Sequence, residues 1–322
     1  MPFLWLAGCR KPEPLSETRF QLDTFVTVTI YDRPDREVLA GCFDLIKEYE
    51  NIFSKTIETS EVYRLNHRSP GEDTFTLSPE SAALLSEALD WAERTGGAYD
   101  ITIEPVSTLW NFSQNTGNVP PADEIRRAVS RVDYRKLSLE GDTLTFLSDD
   151  VTIDLGSIAK GYIADRVKDY LVNAGVKSAI INLGGNVLCV GDKDGKPFRI
   201  GLQKPFSDHA DTIGSLEITD RSVVTSGIYE RGFTADGTWY HHILRPDTGY
   251  PCESGLVSVT IVSDRSVDGD ALSTACFLLG PEDGIALLDT MDGVYGYFVT
   301  DTYEVLYSAG AEALVREMDG AS

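Results

Sequence analysis

The sequence predicts an α+β fold in which mixed, largely antiparallel sheets pack against helices. Three observations carry this. Strand-like runs follow one another at hairpin spacing, helical periodicities stand as isolated segments, and the two never settle into the regular βαβ alternation of a doubly wound sheet.

The elements follow in order. Phe20 to Ile30 reads F-Q-L-D-T-F-V-T-V-T-I, where Val26, Val28 and Ile30 alternate with Thr27 and Thr29, and predicts a half-buried strand. From Asp35 to Phe53 the apolar residues Val38, Cys42, Leu45, Ile46, Tyr49, Ile52 and Phe53 recur at helical spacing. Ser78-Pro79 supplies an N-cap and a first-turn proline for a helix through Leu84, Leu85, Ala88, Leu89 and Ala92, stopped by Gly96-Gly97. Residues 110–124 are the most loop-like stretch, and Pro120-Pro121 makes 111–124 the best place for a subdomain hinge. Beyond it, short strands are expected at 143–147 and 151–154, a helix near 158–174 closed by Gly175, and a strand from Ser178 to Leu183. Further strands are expected at about 197–203, 214–219, 222–226, 239–244 and 256–263, helices near 267–279 and 281–291, and strands at about 294–300 and 303–308. No internal repeat of solenoid period occurs.

With 322 residues, 42% of them hydrophobic and 25% charged, the chain can bury a large core. Its organisation divides into residues 1–18, a signal remnant and tether, and residues 19–322, one large domain. Against 51 acids stand 28 bases, a net charge of −23, so a nucleic acid is repelled and is not an expected partner. Any phosphate-bearing ligand needs a local cation, metal or backbone N–H groups to offset the same field. Five cysteines without a C-x-x-C pair and four histidines without H-E-x-x-H argue against structural zinc, so an expected metal is a hard, oxygen-liganded one.

The first nine residues are apolar and end in Leu6-Ala7-Gly8-Cys9, followed by the polar Arg10-Lys11-Pro12-Glu13-Pro14. This run resembles a bacterial lipobox, although it lacks a basic n-region and is shorter than most h-regions. The resemblance implies that Cys9 is lipidated, residues 10–18 are a tether, and the protein is an extracytoplasmic, membrane-anchored lipoprotein.

Three constellations carry chemistry. Val151-Thr152-Ile153-Asp154-Leu155-Gly156-Ser157-Ile158-Ala159-Lys160-Gly161 runs from an apolar strand into a helix start with a lysine in its first turns, a recipe for an anion site. Alone, it reads equally as an ordinary turn. In Asp268-Gly269-Asp270-Ala271-Leu272-Ser273-Thr274, Asp270 and Thr274 share one helix face, where a carboxylate and a hydroxyl can meet a cation such as Mg²⁺. The competing reading is a capping aspartate and a back-bonded threonine. In Tyr240-His241-His242-Ile243-Leu244-Arg245-Pro246-Asp247-Thr248-Gly249, successive histidines on a strand point to opposite faces, so at most one enters a pocket as a general base. A structural histidine fits the same place. Two weaker signals are Gly184-Gly185, a bulge or close backbone approach, and Trp110-Asn111-Phe112, which suits ring stacking or the edge of a core.

Together, and in this order, these segments resemble the ApbE family of FAD:protein FMN transferases. The specific parts are D-x-G-x-I-A-K-G at 154–161, N-x-G-G at 182–185, H-x-x-x-P-x-T-G at 242–249 and D-x-x-x-T at 270–274. Supporting parts are Ser60-Glu61-Val62-Tyr63-Arg64-Leu65-Asn66, Gly97-Ala98-Tyr99-Asp100-Ile101-Thr102 and Thr225-Ser226-Gly227. The resemblance implies a T-fold-like architecture with an FAD cleft between subdomains. It also implies Mg²⁺-dependent attack of an acceptor protein's threonine or serine hydroxyl on FAD, which releases AMP and leaves FMN on the acceptor redox protein as a phosphoester.

Residue by residue, the resemblance implies Asp270, Thr274 and the Ser157 carbonyl as metal ligands. Asp154 and Lys160 fall at flavin or phosphate contacts, and His242 at the position that takes the hydroxyl proton. Leu22, Thr56, Trp110, Asn111, Phe112 and Leu244 fall at positions that line the FAD cleft. Leu22-Asp23-Thr24 replaces the usual Met-Gly-Thr, Ser157 stands where Gly or Ala is familiar, and Arg245 where Asp or Asn is typical. An FAD pyrophosphatase and a flavin-binding lipoprotein without turnover are the alternatives.

Overall fold

The computed structural model describes residues 13–114, 117–207 and 211–318; the run expected to be a lipobox, with Cys9, lies outside them. Strands β1 (Leu15–Gln21) and β2 (Thr24–Ile30) form a hairpin where a single strand from Phe20 was expected. Leu22 and Asp23 both have φ of 54°, the left-handed pair that a two-residue hairpin turn requires. Neither is glycine, which hides the turn from a sequence reading. β1 begins at Leu15, inside the segment read as tether.

Helix α1 (Arg36–Phe53) starts where Asp35 Oδ1 accepts the Glu37 and Val38 N–H groups. A short helix α2 (Glu61–Asn66), capped by Ser60, and strand β3 (Thr74–Thr76) precede α3 (Pro79–Arg94), capped by Ser78 as expected. Helices α4 (Glu104–Trp110) and α5 (Ala122–Val129) flank the loop-like stretch, and β4 (Leu137–Glu140) and β5 (Thr143–Phe146) follow as a hairpin.

Residues 151–155 form no strand, a correction to the expected 151–154. Their partners are isolated and not a strand: Asn66 Nδ2 donates to the Ile153 carbonyl at 2.8 Å, the Ile153 N–H donates to Asn66 Oδ1 at 2.7 Å, and the Asp154 N–H donates to the Ile101 carbonyl at 2.8 Å. A carboxamide can copy the donor and acceptor of a neighbouring strand at one residue only, so no ladder propagates.

Helix α6 (Ala159–Asn173) ends at Gly175, φ +84°. The rest of the chain runs β6 (Ser178–Leu183), β7 (Asn186–Gly191), β8 (Phe198–Gln203), β9 (Thr212–Ile218), β10 (Ser222–Gly227), β11 (Gly232–Ala235), β12 (Thr238–His241), β13 (Leu256–Ser263), α7 (Ser266–Leu279), α8 (Pro281–Leu288), β14 (Tyr295–Thr300), β15 (Val305–Tyr307) and β16 (Val315–Met318).

The central sheet has the order β1-β2-β6-β7-β10-β13-β14-β15, with every neighbouring pair antiparallel. One face, with Val26, Val28, Ile181, Leu183, Val259 and Ile261, packs on α1, α3, α6 and α7 in the main core. A second core, with Cys189, Phe198, Leu216, Val223 and Tyr297, covers the other face beneath the small sheet β16-β9-β8. Layers on both sides explain why β13 is buried at all eight residues and reads as a nearly continuous apolar run. A satellite core of Val106, Trp110, Phe112, Ile125, Ala128, Phe233 and Leu244 ties α4 and α5 to the β11–β12 hairpin.

Candidate active site

Helix α7 is buried almost all round, so its polar residues must find partners inside the protein. Gly161 lets α6 approach it: a Cβ there would lie 2.3 Å from the Ser266 carbonyl oxygen. Across this contact the Gly161 N–H donates to Asp270 Oδ2 at 2.7 Å, and Asn186 Nδ2 donates to Asp270 Oδ1 at 3.2 Å. Burial raises the proton affinity of Asp270, while Lys160, Gly161 and Asn186 oppose the rise. Each carboxylate oxygen thus has one hydrogen bond and spare lone pairs in a dry setting.

Thr274 follows one turn later on α7, half-buried, with its hydroxyl 3.3 Å from Ser226 Oγ. Ser157 Oγ is 3.1 Å from Tyr99 Oη, and Tyr99 feels the charges of both Asp270 and Asp154. Asp270, Thr274 and the Ser157 carbonyl are oxygen donors with a single carboxylate among them. That set fits a hard cation that completes its shell with water and ligand oxygens, not one caged by protein. No group of three or more His, Cys, Asp or Glu placed to share a metal occurs among the described residues.

The start of α6 departs from a free anion cradle. The Ile158 and Ala159 N–H groups both donate to the Leu155 carbonyl, and that of Gly161 is taken by Asp270. The cation of this segment is therefore Lys160, half-buried, with Nζ 3.5 Å from the Gly156 carbonyl. Lys160 precedes Gly161, whose N–H holds Asp270, so the first and second sequence constellations meet at one place; the charge of Lys160 also disfavours protonation of His242.

His242 lies just past β12 and His241 at its end, and they part as expected. His241 is 5% exposed with Nε2 3.2 Å from the Cys252 carbonyl, whereas His242 is half-buried with Nδ1 3.2 Å from the Arg231 carbonyl. A carbonyl only accepts, so Nδ1 of His242 holds the proton and Nε2 keeps its lone pair. Burial, then Arg231, lowers the pKa of His242 to about 3. The ring is neutral at physiological pH.

Asp154 is held from three sides: Ser107 Oγ donates to Oδ2 at 2.7 Å, Lys55 Nζ is 2.9 Å from Oδ2, and the Gly156 N–H donates to Oδ1 at 2.9 Å. Burial works against its charge, but Lys55, Ser107 and Gly156 outweigh it and keep the carboxyl below its usual range. Lys55 and Ser107 were missed by sequence reasoning. Neither belongs to a motif, and they meet Asp154 only in three dimensions.

The remaining residues spread along adjoining surfaces. Leu22 tops the β1–β2 turn, its N–H donating to Glu50 Oε1, and Asp23 adopts the left-handed conformation that a glycine would take most readily. Thr24 beside them abuts Gly184, where a Cβ would fall 2.2 Å from Thr24 Oγ1, so the Gly-Gly signal is a close approach. Thr56 is exposed next to Lys55. Asn111 ends α4 in the left-handed region, exposed.

Trp110 is 1% exposed and donates Nε1–H to the Gly249 carbonyl at 2.7 Å, while its ring stacks on Phe112 at 5.4 Å. Its ring therefore serves the satellite core, together with Phe112 and Leu244. Gly249, φ +73°, has room for no Cβ against Ile125 and Val129, which explains the Thr-Gly of the histidine motif. Arg245 turns outward in a two-bonded pair with Asp247, so the unusual residue there leaves the turn intact.

The sequence profile of the ApbE family matches residues 22–298. The chain is 39% identical over 277 residues to an FAD:protein FMN transferase of Klebsiella pneumoniae, covering 85% of this chain and 86% of that one. It is 34% identical to another of the same description from Treponema pallidum, covering 97% and 91%. The crystal structure of an ApbE protein from Thermotoga maritima superposes with a TM-score of 0.86 at 31% identity, covering 95% of this chain and 100% of that one.

Proposed function

Because the chain belongs to the ApbE family, we propose that it transfers FMN from FAD to a threonine or serine hydroxyl of an acceptor redox protein. The hydroxyl oxygen bonds to the FMN-side phosphorus, the bond from that phosphorus to the AMP oxygen breaks, and the hydroxyl proton leaves to a base. The observation that carries this reading is Asp270, a buried carboxylate with spare lone pairs, held at the start of α6 by the N–H of Gly161, the residue that follows Lys160.

Asp270, Thr274 and the Ser157 carbonyl are the residues that would hold Mg²⁺, which when bound neutralises the diphosphate and polarises the P–O bond under attack. Lys160 supplies a fixed positive charge that a chain of net charge −23 otherwise withholds from a diphosphate. His242 accepts the hydroxyl proton at Nε2, the nitrogen left free by the Arg231 carbonyl. Asp154, Leu22, Thr56, Asn111 and the satellite core that includes Trp110, Phe112 and Leu244 shape the FAD cleft, with Trp110 acting through packing.

Incubation with FAD, Mg²⁺ and an acceptor fragment tests the reaction: in-gel flavin fluorescence on the acceptor that survives denaturation is expected. The Leu6-Ala7-Gly8-Cys9 run supports a lipid anchor and a position outside the cytoplasmic membrane. Among the described residues no helix is long and apolar enough to cross a membrane. Release of a Cys9→Ser variant into the soluble fraction tests the anchor.

A further inference from the structure

Lys55 sits in the connection between α1 and α2 and reaches into the site. Its Nζ lies 2.8 Å from Ser107 Oγ, 2.9 Å from Asp154 Oδ2 and 3.1 Å from Thr108 Oγ1, with Glu104 Oε1 at 3.8 Å. An ammonium has three N–H donors, and these three nearer partners take them all. Lys55 therefore has no hydrogen left to offer a phosphate, and any influence on a ligand passes through its neighbours.

The chief neighbour is Asp154. With Lys55 and Ser107 on Oδ2 and the Gly156 N–H on Oδ1, the carboxylate cannot rotate without breaking a bond. Asp154 in turn shapes the turn at 154–157 that leads into α6, where Lys160 stands. Glu104 anchors the other side: its carboxylate accepts from Thr108 Oγ1 and, at 2.7 Å, from Thr152 Oγ1. The network thus joins three separate segments, the loop after α1, helix α4 and the run 151–157.

We infer that Lys55 is a positioning residue of the FAD site, which through Asp154 sets the turn at 154–157 before any ligand arrives. The inference rests on the FAD-binding reading above and goes beyond it in assigning a role to a residue that contacts no ligand.

FAD titrations of the purified full chain, followed by quenching of flavin fluorescence, and thermal melts of the same proteins test it. Wild-type protein is expected to bind FAD, and Lys55→Met to weaken binding about tenfold or more, as expected for a lost hydrogen bond to a charged group. Added to Asp154→Asn, Lys55→Met should change the affinity less than about twofold, because both act on one network. Ser107→Ala removes one bond from each partner without stranding a charge, and should weaken FAD binding about threefold even if Lys55→Met fails to fold.

Unchanged FAD affinity in Lys55→Met or Ser107→Ala, with only the melting temperature lowered, would make Lys55 a plain tie between segments and overturn the inference. Fully additive losses in the double variant would overturn it as well. A wild-type protein that does not bind FAD would instead overturn the FAD reading itself, and the inference with it.

Discussion

Asp165 and Asp270 cap each other's helices. Asp165 on α6 accepts the Ser266 and Val267 N–H groups at the start of α7, at 2.8 and 3.0 Å, while Asp270 on α7 accepts the Gly161 N–H near the start of α6. Neither helix carries a side-chain cap of its own at that end. Each buried helix start therefore depends on the other helix for satisfaction of its orphan donors. The exchange fixes Asp270 in place, so the same contact that holds the fold also aims the carboxylate.

Replacing Asp270 separates these two duties. Asp270→Asn keeps an oxygen for the Gly161 N–H but removes the charge and turns an NH2 toward Asn186 Nδ2, so FMN transfer should fall by about 100-fold or more with some loss of thermal stability. Asp270→Ala also leaves that N–H unpaired and should cost a further ~1–3 kcal/mol. Transfer assays and melts of both variants check this; undiminished transfer in Asp270→Asn would remove Asp270 from the chemistry.

Asp165 makes a pH prediction. Burial raises its pKa to about 6 from an ordinary 3.8, so between those values the folded protein binds more protons than the unfolded chain. Stability from this group is fully present below pH 3.8 and is lost as pH rises through about 6. Asp165→Asn cannot titrate and should flatten that part of the profile. Melting temperatures across pH 4 to 7 that decline equally in both proteins would contradict the assignment.

His242 should act in turnover and not in binding. His242→Ala is expected to bind FAD about as tightly as wild type while transferring FMN about 100-fold more slowly or worse. Because burial, then Arg231, lowers the pKa of the free ring to about 3, kcat/KM should show no acid limb from it near 6.5. A bound diphosphate offsets the charges of Lys160 and Arg231, so any acid limb in kcat should lie at higher pH than in kcat/KM. Equal transfer by wild type and His242→Ala would refute the role.

Much of this was legible in the sequence where one element carries its own signal. The cap at Ser78, the helical spacing from Asp35 to Phe53 and the strand pattern at Val26, Val28 and Ile30 are local, so local reading found them. The β1–β2 turn was not, because Leu22 and Asp23 adopt positive φ without a glycine to advertise it. Residues 151–154 looked like a strand because their apolar pattern is one; only the fold reveals that Asn66 stands where a strand would. The motif residues Asp270, His242 and Lys160 were visible as types at spacings, whereas Lys55, Ser107 and Asp165 were not, since their partners lie tens of residues away.

Gly161→Ala tests the helix contact that underlies the site. Its methyl group would meet the Ser266 carbonyl and Val267 Cα, backbone atoms that cannot swing aside. Overpacking should cost roughly 1–3 kcal/mol and push α6 from α7. A variant of wild-type melting temperature and activity would show that the contact is looser than it stands.

The proposed reaction is displacement of AMP from FAD by a hydroxyl of another protein at the site around Asp270. Intact mass of an acceptor fragment before and after incubation with enzyme, FAD and Mg²⁺ tests it most directly. The acceptor should gain one FMN, lost on mutation of its target threonine or serine, with AMP appearing in equal amount. Free FMN and AMP beside an acceptor of unchanged mass would contradict transfer and leave hydrolysis in its place.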